Sequence, residues 1–339
     1  MHHANFSRSL LKSIIFGGLG SGIGLLGIMF SVALYVVETL IRPKPKPAKF
    51  EEYSFTPYEL GLPAEVVAFS PLHGDYKVSG WYIPCPQATS TILVCPGYRS
   101  RKTDVLGICG QLWKAGHNVL AFEYYGHGTF VGKSITLGYR EVNDFLGAVA
   151  YAKERAPQTR LGVLAYSMGA AVAIMSCARI NDVEAVIADS SFATHWSAVD
   201  YNIRRILPLP SAPFVWIADH LMGWRAGYRF HQVEPLRDIG KISPRPILII
   251  QSGKDTIVDP RDGALLYGAA KEPKELWIIP EADHCGAYFA DRDAYVKRVI
   301  DFFALHLQDA RPRLQLVEAP VVEQTDINNT SARDLPEAS

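Results

Sequence analysis

Residues Leu161 to Ala173 read LGVLAYSMGAAVA. An apolar run typical of a buried parallel strand leads into Ser167, and a run of small residues typical of a packed helix follows it. A tight junction between strand and helix needs small residues two positions before and two positions after the turn, and Ala165 and Gly169 meet this need. The stretch therefore predicts a strand, a strained turn that presents Ser167, and a helix.

The flanking sequence alternates short β-rich runs with helical stretches. The strands are predicted at 65–69, 76–83, 91–95, 118–123, 161–166, 185–189, 247–251 and 276–279. The helices are predicted at 103–115, 139–153, 168–179, 261–270 and 288–307. A turn at His73-Gly74 predicts an antiparallel hairpin at the start. Most of the strands are nearly unbroken apolar runs, which indicates an α/β fold with an eight-stranded, mostly parallel sheet covered by helices on both faces.

Two later segments supply the partners that an activated serine needs. Residues 246–260, PILIIQSGKDTIVDP, predict a strand that ends in a loop carrying Asp255. Residues 276–286, LWIIPEADHCG, predict a later strand followed by His284. Serine needs a base within hydrogen-bond reach and a carboxylate that orients the base, in the chain order serine, acid, histidine. Ser167, Asp255 and His284 have this order, so we predict that they form a catalytic triad.

Two alternatives stay open at this point. Asp189 also ends a predicted strand and is the second candidate for the acid that orients His284. Cys285, next to His284, could serve as a nucleophile, although the pattern around His284 favours Ser167. Each site residue alone also has a purely structural interpretation as a turn or loop residue.

These motifs resemble the α/β-hydrolase superfamily, in AYSMG around Ser167, SGKDTIVDP around Asp255 and EADH at His284. The chain is most similar to its membrane-anchored, serine-aminopeptidase-like bacterial branch, over about 58–307. Residues 126–151 are similar to the segment after the fourth strand in that group, but Glu123 and Tyr125 stand where Asp and Arg are common.

A hydrolase of this kind also needs N–H donors for the oxyanion. Met168 begins a predicted helix, so its N–H is free to donate. The resemblance places the second donor after the third strand, where this chain has Pro96-Gly97 instead of the common His-Gly, and it implicates the N–H of Tyr98. It further implies that residues 192–239, which are rich in aromatic side chains, form a cap over Ser167. We expect most of these aromatic side chains to anchor the cap to the core and a minority to line a pocket for an apolar substrate.

Composition limits the other classes of function. Lys plus Arg and Asp plus Glu number 34 each among 339 residues, so no global charge favours nucleic acid. The five cysteines are scattered without the spacing of a zinc site or a disulfide framework. We therefore expect no nucleic-acid partner and no structural metal, and hydrolysis through the triad requires no cofactor.

Residues Ser13 to Val37 carry no charge, and these 25 residues exceed the roughly 20 that cross a bilayer as a helix. We predict a transmembrane helix at 13–40 in preference to a cleaved signal peptide. The more basic flank follows it, which favours a cytoplasmic catalytic domain. Two GxxxG spacings, Gly18/Gly22 and Gly20/Gly24, permit a homodimer.

The remaining segments complete the predicted organisation. Residues 1–12 form a tail, 41–57 form a stiff linker that contains RPKPKP, 58–308 form the hydrolase domain, and 309–339 form a disordered tail. The segment 1–41 is expected to tether the enzyme without contributing to its chemistry.

The predicted function is hydrolysis of a carboxylic ester or related acyl bond of a small molecule through an acyl-enzyme. A thioesterase, a peptidase and an acyltransferase would use the same triad, so the sequence does not separate them. A membrane-tethered binding protein that kept the fold without activity is the alternative from another class.

Overall fold

The computed structural model describes residues 22–42, 55–128, 134–206 and 210–307. The strands are β1 (Glu65–Phe69), β2 (Val78–Ile83), β3 (Ser90–Cys95), β4 (Asn118–Phe122), β5 (Arg160–Tyr166), β6 (Val183–Asp189), β7 (Ile247–Ser252) and β8 (Lys274–Ile279). They form one sheet in the order β1-β2-β4-β3-β5-β6-β7-β8. β2 pairs antiparallel with β1 and β4, and all other neighbours are parallel. The predicted eight-stranded, mostly parallel sheet with an antiparallel start is confirmed.

The helices of the described residues are α1 (Gly22–Ile41), α2 (Leu106–Lys114), α3 (Glu141–Arg155), α4 (Met168–Cys177), α5 (His195–Ile206), α6 (Ala212–Ala226), α7 (Pro235–Asp238), α8 (Asp262–Ala269), α9 (Ala287–Ala290) and α10 (Arg292–Leu307). Two predicted helices are divided. The first turn of the helix predicted at 103–115 is a 3₁₀ segment, Lys102–Val105. The helix predicted at 288–307 is interrupted because Asp291 is extended, with φ −150° and ψ 94°.

Two hydrophobic clusters pack against the sheet. One contains residues of α1, α3, α4, α5 and α6, and the other contains residues of α2 and α10. Every residue of β3, β4 and β7 is buried, which explains why these strands are unbroken apolar runs in the sequence. The parallel strands all point their carboxyl ends toward one edge, where the loops after β3, β5, β7 and β8 meet.

The N-terminal helix differs from the prediction of a transmembrane helix at 13–40. In the part of the chain that the structure describes, no helix is both long and apolar enough to cross a membrane. Ala33, Val37 and Ile41, spaced four residues apart, are instead buried in the cluster that includes α6. The predicted spanning helix is therefore not found among the described residues, where one side of α1 packs on the protein.

Several predicted segments lie outside the described residues. These are the tail at 1–12, residues 13–21 of the predicted span with Gly18 and Gly20, most of the linker at 41–57, and the tail at 309–339.

The insertion at 192–239 begins after β6 and contains α5, α6 and α7. Its aromatic side chains include a buried group and an exposed group. Phe214, Tyr228 and Phe230 are buried and hold the insertion on the domain. Trp196 of α5 and Trp216 and Trp224 of α6 are exposed. The expectation that most of these aromatic residues anchor the insertion therefore holds for one group only.

Candidate active site

Ser167 lies at the junction of β5 and α4 in a conformation that L-residues rarely adopt. Its φ is 52° and its ψ is −119°. The backbone N–H of Ser167 donates to the Asp189 carbonyl at 2.7 Å, which fixes the turn to the end of the neighbouring strand β6. The strain that the sequence pattern predicts is therefore present, and it directs the hydroxyl out of the end of the sheet.

The turn is packed so closely that a side chain at Gly169 has no room. A Cβ atom at Gly169 would lie 2.4 Å from the Pro96 carbonyl oxygen and 2.8 Å from that of Cys95. A Cβ at Gly97 would lie 3.1 Å from the Cβ of Ser167. The loop after β3, at 96–101, therefore rests directly against the serine turn, and this contact places Tyr98 beside Ser167.

The three residues of the predicted triad come together at this edge. His284 Nε2 is 2.8 Å from Ser167 Oγ, and His284 Nδ1 is 2.7 Å from Asp255 Oδ2. The other oxygen of Asp255 accepts the N–H groups of Ile257 and Val258, each at 2.8 Å. Asp255 is 2% exposed, so its orientation is fixed by buried hydrogen bonds.

Asp283 joins the two loops that carry Asp255 and His284. Its Oδ1 accepts the N–H of His284 at 2.7 Å, and also the N–H and hydroxyl of Thr256 at 2.9 and 2.8 Å. The sequence analysis missed this residue. The signal was its position next to His284, but only the structure shows that its partner lies 27 residues earlier in the chain.

Three effects of the surroundings act on the pKa of His284. Burial of the ring disfavours the imidazolium, whereas charge on Cys285 and the Asp255 carboxylate favour it, and the net result is a raised pKa of His284. Burial also raises the pKa of Cys285, so that thiol is neutral near pH 7. Asp255 is therefore the anion that stabilises the imidazolium at neutral pH.

The two alternatives occupy other positions. Asp189 accepts the Tyr295 hydroxyl at 2.8 Å and the Ser190 hydroxyl at 2.9 Å, and burial raises the pKa of Asp189 to about 6. His284 has Asp255 as its partner, so Asp189 does not take the place of the orienting acid. The protonated thiol of Cys285 is a weak nucleophile. The predicted turn at His73-Gly74 lies between β1 and β2.

A buried ion pair fixes the far end of the loop at 96–101. Lys102 Nζ lies 3.1 Å from Glu123 Oε2, and the two side chains are 9% and 3% exposed. The N–H of Lys102 also donates to Glu123 at 3.3 Å, and Nζ lies 5.1 Å above the ring of Trp81. Glu123 thus ties the loop to the end of β4. Nothing in the local sequence marks Lys102 as buried.

A cavity of about 450 Å³ opens at Ser167 and His284. Its wall is mostly apolar, and the polar residues Ser100 and Asp104 lie in or beside the loop at 96–101. It is lined by Gly97, Tyr98, Ser100, Asp104, Val105, Gly107, Ile108, Tyr166, Cys285, Tyr288 and Phe289 in addition to the serine and histidine. None of the described lining residues belongs to the insertion at 192–239, in contrast to the expected cap lining. The wall instead comes from the start of α2 and from α9.

Known proteins share this architecture. A family model described as serine aminopeptidase, S33, matches residues 86–234. YqkD of Bacillus subtilis is 31% identical over 230 residues, which are 67% of this chain and 75% of YqkD. YfhR of Escherichia coli is 27% identical over 251 residues, 70% of this chain and 80% of YfhR.

A solved structure is also similar to this chain. The Pyrococcus furiosus esterase Pf2001 superimposes with a TM-score of 0.62 at 25% identity, covering 75% of this chain and 97% of the esterase. This likeness covers most of both chains. The chain therefore belongs to the family of Bacillus subtilis YqkD, within the α/β-hydrolase superfamily.

Proposed function

We propose that this protein is a serine hydrolase that cleaves carboxylic esters with an apolar group through Ser167, His284 and Asp255. The observation that carries the proposal is the continuous chain of hydrogen bonds from Ser167 Oγ through His284 to Asp255, at 2.8 and 2.7 Å. This chain begins at a strained turn and ends on a buried carboxylate, and it opens into a cavity. These are the features that activate a serine.

In the proposed reaction, neutral His284 takes the Ser167 proton on Nε2 as Oγ attacks the ester carbonyl. The tetrahedral intermediate collapses when His284 returns that proton to the leaving alcohol, which yields an acyl-enzyme. A water then attacks the acyl group with His284 again as the base, and the carboxylic acid is released. Asp255 holds the histidine in the tautomer with the proton on Nδ1 and stabilises the imidazolium.

The negative charge on the carbonyl oxygen needs preorganised donors. The N–H of Met168, the first residue of α4, has no acceptor within its own helix and lies next to the nucleophile. The close contact between Gly97 and Ser167 supports the N–H of Tyr98 as the second donor. Both donors belong to backbone that is fixed by packing, so they need little reorganisation during the reaction.

The cavity supports a substrate with an apolar group of moderate size. Its aromatic and aliphatic residues, Tyr98, Val105, Ile108, Tyr288 and Phe289, would contact that group. An ester is favoured over other acyl compounds because Pf2001, which shares the fold at 25% identity, is an esterase.

An aminopeptidase is the second candidate. The family model that matches 86–234 is described as a serine aminopeptidase. The exposed carboxylate of Asp104 lines the cavity and could attract the ammonium group of a peptide. Purified protein assayed on p-nitrophenyl esters and on aminoacyl p-nitroanilides separates the two candidates, because the first assay releases p-nitrophenol from an ester bond and the second releases p-nitroaniline from an amide bond.

The decisive test is labelling with a fluorophosphonate probe, which reacts with an activated serine whatever the substrate. We expect the wild-type protein to be labelled and Ser167→Ala to lose labelling and about 10³-fold or more of its ester hydrolysis, without a change in folding. Undiminished hydrolysis by Ser167→Ala would remove this residue from the mechanism. An unlabelled wild-type protein would favour a binding protein that kept the fold.

Attachment of residues 13–40 to a membrane, the cytoplasmic side for the catalytic domain, and a homodimer through the glycine spacings stay predictions. Fractionation of cells that express the full chain, with carbonate and detergent extraction, tests the first of them. Recovery in the wash without detergent would show that the N-terminal segment does not hold the protein in a membrane.

A further inference from the structure

The C-terminal turn of α1 contacts the loop that carries Tyr98. The Tyr98 hydroxyl donates to the carbonyl of Leu40 at 3.0 Å and to that of Thr39 at 3.1 Å. Carbonyls in the last turn of a helix receive no hydrogen bond from an N–H of the same helix, so a side-chain donor from elsewhere satisfies them. Burial raises the pKa of Tyr98 to about 12, against the opposing effect of Arg99, and the hydroxyl therefore stays a donor at neutral pH.

Other contacts hold α1 in this position. The Glu38 carboxylate accepts a hydrogen bond from Arg225 Nε of α6 at 2.5 Å. The Ile41 carbonyl accepts one from the N–H of Ile135 at 2.9 Å. Ala33 and Val37 are completely buried beside α6. The last two turns of α1 are thus joined to the insertion, to the segment before α3 and to the Tyr98 loop. A role limited to tethering, as expected for 1–41, does not account for these contacts.

The loop at 96–101 is held at two points. The Lys102–Glu123 pair fixes its end to β4, and the Tyr98 side chain fixes its middle to α1. Between these points Arg99 adopts a φ of 60°, a strained conformation that needs support from the surroundings. The backbone of Tyr98, which neighbours Ser167, therefore depends on a helix that begins 76 residues earlier in the chain.

We propose that α1 is a positioning element of the active site, which holds the Tyr98 N–H in place for the oxyanion by accepting the Tyr98 hydroxyl. The inference rests on the proposed serine hydrolase function. Two groups of Tyr98 contribute. Its backbone N–H donates to the oxyanion, and its hydroxyl keeps that N–H in position by bonding the helix. Loosening the helix should reduce turnover more than substrate binding, because the donor is most important in the transition state.

Tyr98→Phe in the full chain tests the proposal, because it removes the hydroxyl and keeps the ring and the N–H. We expect kcat on a short soluble p-nitrophenyl ester to fall about ten-fold, with KM changed less than two-fold, since small misplacements of a catalytic group have effects up to about 10²-fold. Val37→Ala, which trims the buried face of α1, should lower kcat in the same way by a smaller factor.

The matched control is Phe30→Ala, since Phe30 lies on the same helix and its side chain is 48% exposed. It should keep the wild-type kcat and KM. A wild-type kcat in both Tyr98→Phe and Val37→Ala, in protein whose Ser167→Ala variant is inactive, would overturn the inference and leave the proposed function intact. Hydrolysis that survives in Ser167→Ala would overturn the proposed function itself. An equal loss in Phe30→Ala would indicate general destabilisation and would also overturn the inference.

Discussion

The two halves of the active site are built in different ways. On one side, Asp255 and His284 follow consecutive strands, and short loops position them through hydrogen bonds to near neighbours and to Asp283. On the other side, Tyr98 is positioned by groups far away in the chain: α1, and Glu123 after β4. The first half can be inferred from local sequence, whereas the second half depends on tertiary packing. Mutations should therefore affect the two halves differently.

The largest expected effect is in the local half. Asp255→Asn should reduce kcat by about 10³-fold or more, because an amide can hold His284 in the wrong tautomer and cannot stabilise the imidazolium. Asp189→Asn, a change of the same type at the end of β6, should cost less than about ten-fold. Parallel kinetics of the two variants measure the difference, and a large loss only in Asp189→Asn would reverse the assignment of the acid.

The same variant makes a prediction about pH. His284 must be neutral to accept the serine proton, so kcat/KM should rise with pH through the pKa of His284. The Asp255 carboxylate contributes to raising this pKa. In Asp255→Asn the pKa of His284 should fall, and the acidic limb of the residual activity should move to lower pH. A limb that stays in place would show that Asp255 does not set the charge of the histidine.

The next prediction concerns the ion pair that helps to position Tyr98. Lys102→Met removes the ammonium group that pairs with the buried Glu123 carboxylate, and we expect a loss of about 3–5 kcal/mol in the free energy of unfolding, together with reduced kcat. Chemical denaturation measures the first quantity. Lys297→Met is the matched control, because its ion pair with Asp301 is exposed on α10 and should cost less than about 1 kcal/mol.

A double variant sharpens this result. Glu123→Gln added to Lys102→Met removes the buried negative charge and should recover part of the lost stability. If the double variant is as unstable as Lys102→Met alone, the cost arises from packing around Trp81 and not from the buried carboxylate.

The smallest effect concerns the loops of the local half. Asp283→Ala removes the acceptor that joins His284 to Thr256, and we expect kcat to fall about ten-fold with little change in KM. Glu281→Ala is the control, because Glu281 is in the same loop but its side chain is 77% exposed. Similar kinetics for the two variants would show that the hydrogen bonds of Asp283 are not needed to position the histidine.

Prediction from the sequence was accurate where the cause is local. The junction at Ser167 could be predicted because a strand-to-helix turn excludes side chains at positions such as Gly169, where a Cβ would lie 2.4 Å from a carbonyl oxygen. The loops of Asp255 and His284 could be placed together because parallel strands end at one edge of a sheet. The apolar runs of β3, β5 and β7 reflect burial on both faces.

Sequence alone determined the fold class, the strands and the meeting of Ser167, Asp255 and His284, because hydrophobic periodicity and turn sterics act over a few residues. Only the tertiary structure decided that α1 packs on α6, that Lys102 pairs with Glu123, and that α2 and α9 line the cavity. The physical reason is separation along the chain. The Tyr98 hydroxyl bonds a carbonyl 58 residues away, and a contact between such distant residues leaves no periodic signal in either segment.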